Sequence, residues 1–187
     1  VDRIAELIND RTRALSISHV TTATGQVLPV EKIGELAAER GLYYFVDGAQ
    51  SAGMMPVDVA AMGCHAYTTS GHKWLLGPKG TGLLYVRRAA LDTIAAKWVG
   101  AYSGGDYDMA TGEFTFVDTA QRYEYGTVPV SLFHGLGVAM DFLLDLGLDR
   151  VWQRVHGLGA HLITGLQEAG AEIVSPLNPR EHSAIVS

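Results

Sequence analysis

Residues 42–50 have the sequence LYYFVDGAQ, in which five apolar or aromatic residues are followed at once by an aspartate. A continuous apolar run of this length predicts a β-strand that is covered on both faces, as in a parallel sheet. Similar runs at 14–18, 66–70 and 80–87 alternate with polar loops and helical patterns. The alternation predicts an α/β fold built on an open, mostly parallel sheet with crossover helices.

Three helices are predicted between and after these strands. Pro29 is suited to the first turn of a helix over residues 30–40, and two more are predicted over 129–146 and 149–169. In the last helix the apolar residues recur at a helical spacing, which indicates one buried face. Those residues are Val151, Val155, Leu158, Leu162 and Leu166.

The composition of the chain changes after residue 100. Residues 100–126 are rich in Gly, Asp, Thr and Tyr, which predicts irregular surface or site-lining structure. Residues 172–175 and 183–187 contain short apolar runs and predict strands of a second, smaller module.

Charge and composition exclude several classes of protein. Among the 187 residues, 14 Lys and Arg stand against 20 Asp and Glu, a net charge of −6, so no cation surplus is available for a nucleic-acid backbone. Hydrophobic residues make up 48% of the chain, which is enough for a sizeable core and excludes disorder. Cys64 is the single cysteine, so neither a disulfide framework nor a multi-cysteine metal site is predicted.

Neither a membrane partner nor secretion is expected. The longest uncharged runs, 14–30 and 125–140, are shorter than the ~20 apolar residues of a spanning helix and contain polar residues, Pro or Gly. The first residues, Val1-Asp2-Arg3, are charged and are not followed by an apolar signal segment. We therefore expect a cytoplasmic protein.

Polar groups follow two predicted strands at their carboxyl ends, where open α/β sheets bind ligands. Asp47 follows one of them, and its charge there needs either a cationic partner or a role in capping the Asp-Gly turn. Lys73 ends Ser70-Gly71-His72-Lys73 and precedes an apolar stretch. It is a candidate amine nucleophile, although a surface lysine whose stem lies along apolar surface is the more common case for a lone lysine.

Other catalytic patterns are absent from the sequence. Residues 77–82 lack the spacing of a P-loop, and no G-x-G-x-x-G follows a strand. Ser70 and His72 are not part of a G-x-S-x-G elbow, which argues against a hydrolase. Cys64 and His65 have no further metal ligands at usable spacing, so no metal site is predicted.

Three motifs in this order and spacing carry a family resemblance. Asp47-Gly48-Ala49-Gln50, Ser70-Gly71-His72-Lys73 and Gly77-Pro78-Lys79-Gly80-Thr81-Gly82 together resemble fold-type I pyridoxal-phosphate (PLP) enzymes, and within them class V of the aminotransferase superfamily. Residues 18–25 and 122–127 support it. That class includes cysteine desulfurases, selenocysteine lyases, isopenicillin N epimerase-like enzymes and some transaminases.

The resemblance implies a fold and a division of the chain. Residues 1–147 would form the cofactor-binding part of the large domain, a mostly parallel sheet with helices on both faces. Residues 148–187 would begin the smaller α+β domain at the C-terminal end, cut off within a strand.

The resemblance also implies roles for six residues. Lys73 would form the internal aldimine with PLP and later move protons at the substrate α-carbon. Asp47 would pair with the pyridine nitrogen and keep it protonated, so that the ring accepts electrons. Gln50 would contact the phenolic oxygen of the ring, and Ser70 and His72 would hold the phosphate. Gly71 between them would let the backbone approach the cofactor closely.

Two further positions bear on assembly and specificity. Thr127 in this family reaches the phosphate of the neighbouring subunit, which implies a homodimer with shared active sites. Thr22 stands where desulfurases usually carry an asparagine beside the cofactor. A threonine still hydrogen-bonds but reaches less far, which leaves epimerase, lyase and transaminase activities open beside a desulfurase acting on an amino acid.

Full-length members of the family are much longer than 187 residues. Their phosphate loop and ring-stacking residue lie upstream, and their carboxylate-binding arginine and catalytic cysteine loop lie downstream. Cys64 precedes the lysine-bearing strand and does not match that catalytic cysteine. The chain is thus expected to be an incomplete PLP enzyme that further polypeptide or a companion chain completes, or else a non-catalytic interaction module.

Overall fold

The computed structural model describes residues 1–187, and a single sheet forms its centre. The strands are β1 (Ala14–Ser18), β2 (Tyr43–Asp47), β3 (Ala66–Ser70) and β4 (Gly82–Val86), hydrogen-bonded in that order. β1, β2 and β3 are parallel, whereas β4 is antiparallel to β3. The mostly parallel sheet is confirmed. β4 reverses direction because a short loop, with no crossover helix, joins it to β3.

Four α-helices accompany the sheet, of which the last three match the predicted ones to within two residues. They are α1 (Asp2–Leu7), α2 (Val30–Glu39), α3 (Val130–Leu146) and α4 (Leu148–Glu168). α1 was not predicted from the sequence, because six residues with no buried side chain leave no periodic pattern.

Two sequence-based expectations are wrong in detail. Within residues 100–126, expected to be irregular, β5 (Gly104–Tyr107) and β6 (Phe114–Phe116) form an antiparallel hairpin. Residues 172–175 and 183–187, predicted as strands, form none. They are joined to each other where the backbone N–H groups of Val174 and Ser175 donate to the Ser187 carbonyl, at 2.7 and 3.1 Å.

The C-terminal segment lies against the loop that follows β1. Gln26 and His182 form an isolated antiparallel bridge, and the Ser183 N–H donates to the Gly25 carbonyl at 2.9 Å. Gly25 has a φ of +66°, and a Cβ there would lie 2.0 Å from the Ile185 carbonyl oxygen, so a glycine is required. The division of the chain at residue 147 stays a prediction.

The main core covers one face of the sheet. Register places Leu15 beside Tyr44 and Val46 beside Tyr67, and these side chains face α2. The Tyr44 hydroxyl donates to the Val30 carbonyl at 2.8 Å, which fixes the helix on the strand. The buried members of this core are Val30, Ile33, Ala37, Leu42, Tyr44, Val46, Met62, Cys64 and Tyr67.

Cys64 is fully buried in this core. Burial raises the pKa of its thiol, and its Sγ lies 3.8 Å from the Val59 carbonyl oxygen. A buried thiol of this kind is inert.

A second, smaller core joins the helices to the loop after β3. Leu75 packs there against Leu136 and Leu143 of α3. Several other apolar residues of α3 are exposed, Val130 by 72% and Phe142 by 54%.

None of the helices alone has the length and hydropathy of a membrane-spanning segment, and α3 and α4 reach them only together, as a pair with a bend of 82° between its members.

Candidate active site

Three loops meet at the carboxyl ends of β1, β2 and β3. The Trp74 indole N–H, after β3, donates to the Gln50 Oε1 at 3.1 Å, and Gln50 lies on the turn after β2. The Gln50 amide in turn donates through Nε2 to the Thr22 Oγ1 at 3.2 Å, and Thr22 lies on the loop after β1. These two hydrogen bonds bring together segments that are far apart in sequence, at the edge where α/β sheets bind ligands.

Asp47 is the last residue of β2 and is exposed at this edge. Its Oδ1 accepts from the Ala49 N–H at 2.8 Å, which is the turn-capping role considered from the sequence. The cationic partner is not found: Asp47 takes part in none of the three ion pairs of the chain. Water solvates the carboxylate because the strand ends at the surface, and its second oxygen stays available to a ligand.

Lys73 lies on a tight turn that begins as β3 ends. The Leu76 N–H donates to the Lys73 carbonyl at 3.0 Å, and the Gly77 N–H closes the loop on the Gly71 carbonyl at 2.8 Å. The side chain of Lys73 is half-buried. Because Leu75 is anchored in the second core, the turn has a fixed position relative to the sheet.

Ser70 and His72 precede Lys73 on the same segment. Ser70 is half-buried as the last residue of β3, and His72 is exposed. Both therefore lie close to Lys73 at the carboxyl end of β3, and their binding of a phosphate stays a prediction.

Gly71 has a packing role inside the chain, and the close approach to the cofactor that the resemblance implies stays a prediction. A Cβ on Gly71 would lie 2.1 Å from the Thr81 Oγ1 and 3.1 Å from a methyl carbon of Leu136. The glycine is thus required by packing inside the chain, where Thr81 is itself buried and donates to the Pro78 carbonyl at 2.7 Å.

Thr127 lies apart from this cluster. It is exposed on the segment between the short 3₁₀ helix Ala120–Tyr123 and α3. The structure describes one chain, so a contact of Thr127 with a neighbouring subunit stays a prediction.

Two residues of the site region were missed as functional candidates from the sequence. Trp74 was noted only as an apolar neighbour of Lys73, because its contact with Gln50 depends on the tertiary fold. His19, directly after β1, is 5% exposed, and its Nδ1 is buried without a hydrogen-bond partner. Desolvation lowers the pKa of His19 to about 4, so the ring is neutral at pH 7.

Comparison with known proteins places the chain in a family. The family described as aminotransferase class-V matches over residues 1–187. The chain belongs to this family. It is 33% identical, over its whole length, to a probable cysteine desulfurase of Halalkalibacterium halodurans, and 34% identical over 98% of its length to a cysteine desulfurase of Yersinia pseudotuberculosis.

Solved structures agree with this assignment. The apo cysteine desulfurase of Thermococcus onnurineus NA1 matches with a TM-score of 0.86 and 30% identity over 94% of this chain and 43% of that one. The cystine C–S lyase C-DES, in complex with its product cysteine persulfide, matches with a TM-score of 0.85 and 29% identity over 95% and 48%. A variant of C-DES carries glycine covalently linked to its PLP cofactor. The expected fold, that of the fold-type I PLP enzymes, is confirmed.

This class-V family member spans less than half the length of the curated relatives it matches, 45% and 44% of the two desulfurases. The family and the fold are therefore established for residues 1–187. The activity of the whole protein is a matter for proposal.

Proposed function

We propose that this chain carries the cofactor-binding groups of a PLP-dependent enzyme that acts on a sulfur-containing amino acid. The observation that carries the proposal is the convergence of three loops through the Trp74–Gln50–Thr22 hydrogen bonds. The same loops bear Asp47 and Lys73. A carboxylate, an amide and an amine at one cleft edge match the pyridine nitrogen, phenolic oxygen and aldehyde of PLP.

The residues present fit this cofactor. Asp47 has one oxygen free of protein partners and no cation paired with it. Lys73 is outside the ion pairs of the chain and is half-buried just after the carboxyl end of β3. Ser70 and His72 supply a hydroxyl and a ring N–H, both suitable donors to a phosphate. The pyridine nitrogen, phenolic oxygen, aldehyde and phosphate of PLP are thus each matched by complementary groups on the protein, which are Asp47, Gln50, Lys73, and Ser70 with His72.

When bound, PLP supplies an electron sink for negative charge at the substrate α-carbon. The amine of Lys73 would hold the cofactor aldehyde and would move a proton at the substrate α-carbon. Asp47 would hold a proton on the pyridine nitrogen. Gln50 and Thr22 would orient the ring through its phenolic oxygen, and Ser70 and His72 would bind the phosphate.

Cysteine is the substrate that the comparisons favour. The relatives are named cysteine desulfurases, and the C–S lyase is bound to cysteine persulfide. Thr22, in place of the asparagine of desulfurases, accepts a hydrogen bond from Gln50, so this position is still part of the cluster. Epimerase and transaminase activities have no observation of their own in their favour.

Three parts of the proposal concern the whole protein. We propose a cytoplasmic homodimer in which Thr127 reaches the phosphate site of the neighbouring subunit. Further polypeptide, from the same gene product or a companion chain, would complete the site, since the chain spans 45% of its relative in Halalkalibacterium. The alternative, a non-catalytic interaction module, would need none of the free groups at the cleft.

Borohydride reduction tests the central claim. The longer protein that contains this chain is loaded with PLP, reduced, digested and analysed by mass spectrometry. We expect a pyridoxyl group on the peptide containing Lys73, and release of alanine and persulfide sulfur from cysteine before reduction. Lys73→Ala removes the labelled peptide. Lys79→Ala, on an exposed turn six positions away, is the matched control and keeps it. Label elsewhere, or no label with PLP present, contradicts the assignment.

A further inference from the structure

Trp74 is the residue at this site to which neither the motifs nor the comparisons give a role. Its indole Nε1 is 3.1 Å from the Gln50 Oε1, and the Gln50 Nε2 is 3.2 Å from the Thr22 Oγ1. The three side chains form a continuous hydrogen-bonded chain from the loop after β3 to the loop after β1.

The chemistry of the indole fixes the direction of this chain. An indole N–H is a donor only, so it requires the carbonyl oxygen of the Gln50 amide on its side. A turned amide would set its NH₂ group against the indole N–H, two donors at 3.1 Å. The NH₂ group therefore points away from Trp74, and one of its two hydrogens donates to Thr22.

Two hydrogen-bond donors, one on Gln50 and one on Thr22, remain free as a consequence. Gln50 has a second N–H beyond the one that binds Thr22, and Thr22 uses its oxygen as an acceptor and keeps its own O–H to donate. Without Trp74 the amide could turn over and present its carbonyl oxygen to the cleft.

The indole is held rigidly enough to act in this way. A Cβ on Gly53 would lie 2.4 Å from the Trp74 carbonyl oxygen, so the turn after β2 packs directly against the backbone of Trp74. The next residue, Leu75, is buried in the second core. Backbone packing on one side and a buried neighbour on the other fix the backbone of Trp74, and the hydrogen bond to Gln50 orients the indole that extends from it.

We propose that Trp74 is a positioning residue that fixes the Gln50 amide as a donor to the phenolic oxygen of the cofactor. This inference rests on the proposed function. A hydrogen-bond donor to the phenolic oxygen draws negative charge from that oxygen. The oxygen then stabilises a neighbouring protonated nitrogen on the cofactor less than it would without the donor. Loss of the ordered donor should therefore raise the pH midpoint of the absorbance change of the bound cofactor.

The test is a spectroscopic pH titration of the PLP-loaded, full-length protein. In Trp74→Phe we expect the midpoint to rise by about 0.5 to 1 on the pH scale, the effect of one net hydrogen bond. Gln50→Ala should raise it similarly, and the double variant should add little, because both remove one interaction. Trp74→His, whose ring N–H can donate, should recover part of the shift. Trp152→Phe on α4, away from the cleft, is the matched control.

Each outcome decides the inference. A wild-type protein that binds no PLP overturns the proposed function and this inference together. An unchanged midpoint in Trp74→Phe that still binds PLP overturns the inference alone, as does a shift that adds fully to that of Gln50→Ala. If Trp74→Phe does not fold, Trp74→Met provides the measurement. It likewise lacks the indole N–H and should raise the midpoint by a similar amount, and no rise overturns the inference.

Discussion

Asp47 combines two roles that a single substitution can separate. Its Oδ1 caps the turn through the Ala49 N–H at 2.8 Å, and its charge is proposed to keep the pyridine nitrogen protonated. An asparagine keeps the capping oxygen and loses the charge. The Asp47 side chain is exposed, so replacing it with asparagine does not disturb the core.

We therefore expect Asp47→Asn in the full-length protein to retain PLP while turnover of cysteine falls by at least about 100-fold. The measurement is kcat together with the visible spectrum of the bound cofactor. Asp58→Asn is the matched control, because the Asp58 Oδ1 caps its own turn through Ala60 and Ala61, at 2.9 and 3.0 Å, outside the site. Normal turnover in Asp47→Asn would show that the charge has no part in the reaction.

His19 gives the structure a pH-dependent stability. Its pKa is lowered from 6.5 to about 4 by burial, so the unfolded chain binds a proton that the folded chain does not. Stability is thus complete above pH 6.5 and is lost as the pH falls from 6.5 towards 4. Between pH 7 and pH 5 this costs about 2 kcal/mol of the free energy of unfolding.

Urea unfolding at pH 7 and at pH 5 measures this loss. In His19→Gln, which keeps a polar side chain but does not titrate, we expect the difference between the two pH values to shrink by about 2 kcal/mol. His161→Gln on α4, whose side chain is exposed, is the control and should leave the difference unchanged. Equal pH dependence in wild type and His19→Gln would mean that His19 is not the group responsible.

At the scale of elements, strands with a strong apolar signal were predictable and those without it were not. β1 and β3 match their predicted ranges, because each is an apolar or β-branched run bounded by polar residues. β5 has the sequence GGDY and β6 has three residues, so neither contains an alternating pattern. In contrast, residues 183–187 are apolar enough for a strand, but their backbone hydrogen bonds are with the loop after β1 and with residues 174 and 175. Neither of these partners is a strand.

The candidate site follows the same division. Asp47, Gln50, Ser70, His72 and Lys73 could be named because their motifs are local in sequence. Trp74 could not, since an apolar residue gives no sign that its N–H will meet an amide 24 positions away. The antiparallel direction of β4 was likewise hidden, because it depends on how the loop after β3 folds back through Gly71 and Gly77.

That loop gives a prediction at the same scale. Gly71→Ala would set a Cβ 2.1 Å from the Thr81 Oγ1, in a place where Thr81 is buried and cannot move freely. We expect a loss of about 1 to 3 kcal/mol in the free energy of unfolding. Gly165→Ala is the matched control: it lies within α4 with nothing within 4 Å of its Cβ, and it should gain about 0.5 to 1 kcal/mol. Chemical denaturation of both variants decides, and a stable Gly71→Ala would contradict the packing role.

For the whole molecule, the distribution of exposed apolar surface is informative. α3 has polar side chains only at Ser131, His134, Asp141 and Asp145, yet Leu136 and Leu143 are its only buried residues. Val138, Phe142 and Leu144 are 57%, 54% and 63% exposed, and Leu83 and Leu84 of the edge strand β4 are 41% and 43% exposed. Exposed apolar surface of this extent is typical of a face that contacts another element or protein. Because the chain covers 45% of its desulfurase relative in Halalkalibacterium, we expect further polypeptide to cover these surfaces.

Residues 1–187 expressed alone should accordingly self-associate and lose PLP on gel filtration, whereas the longer protein should stay monodisperse and keep it. Exposed apolar helix faces and an unpaired edge strand both promote association.

If α3 is responsible, Val138→Lys combined with Phe142→Lys should make the 187-residue chain more nearly monodisperse without restoring PLP. Thr164→Lys, on an exposed position of α4, is the matched control and should change neither property. Light scattering gives the oligomeric state, and the visible spectrum gives the bound cofactor. A monodisperse, PLP-bound and active 187-residue chain would show instead that these residues are self-sufficient, with the apolar face of α3 stable in water.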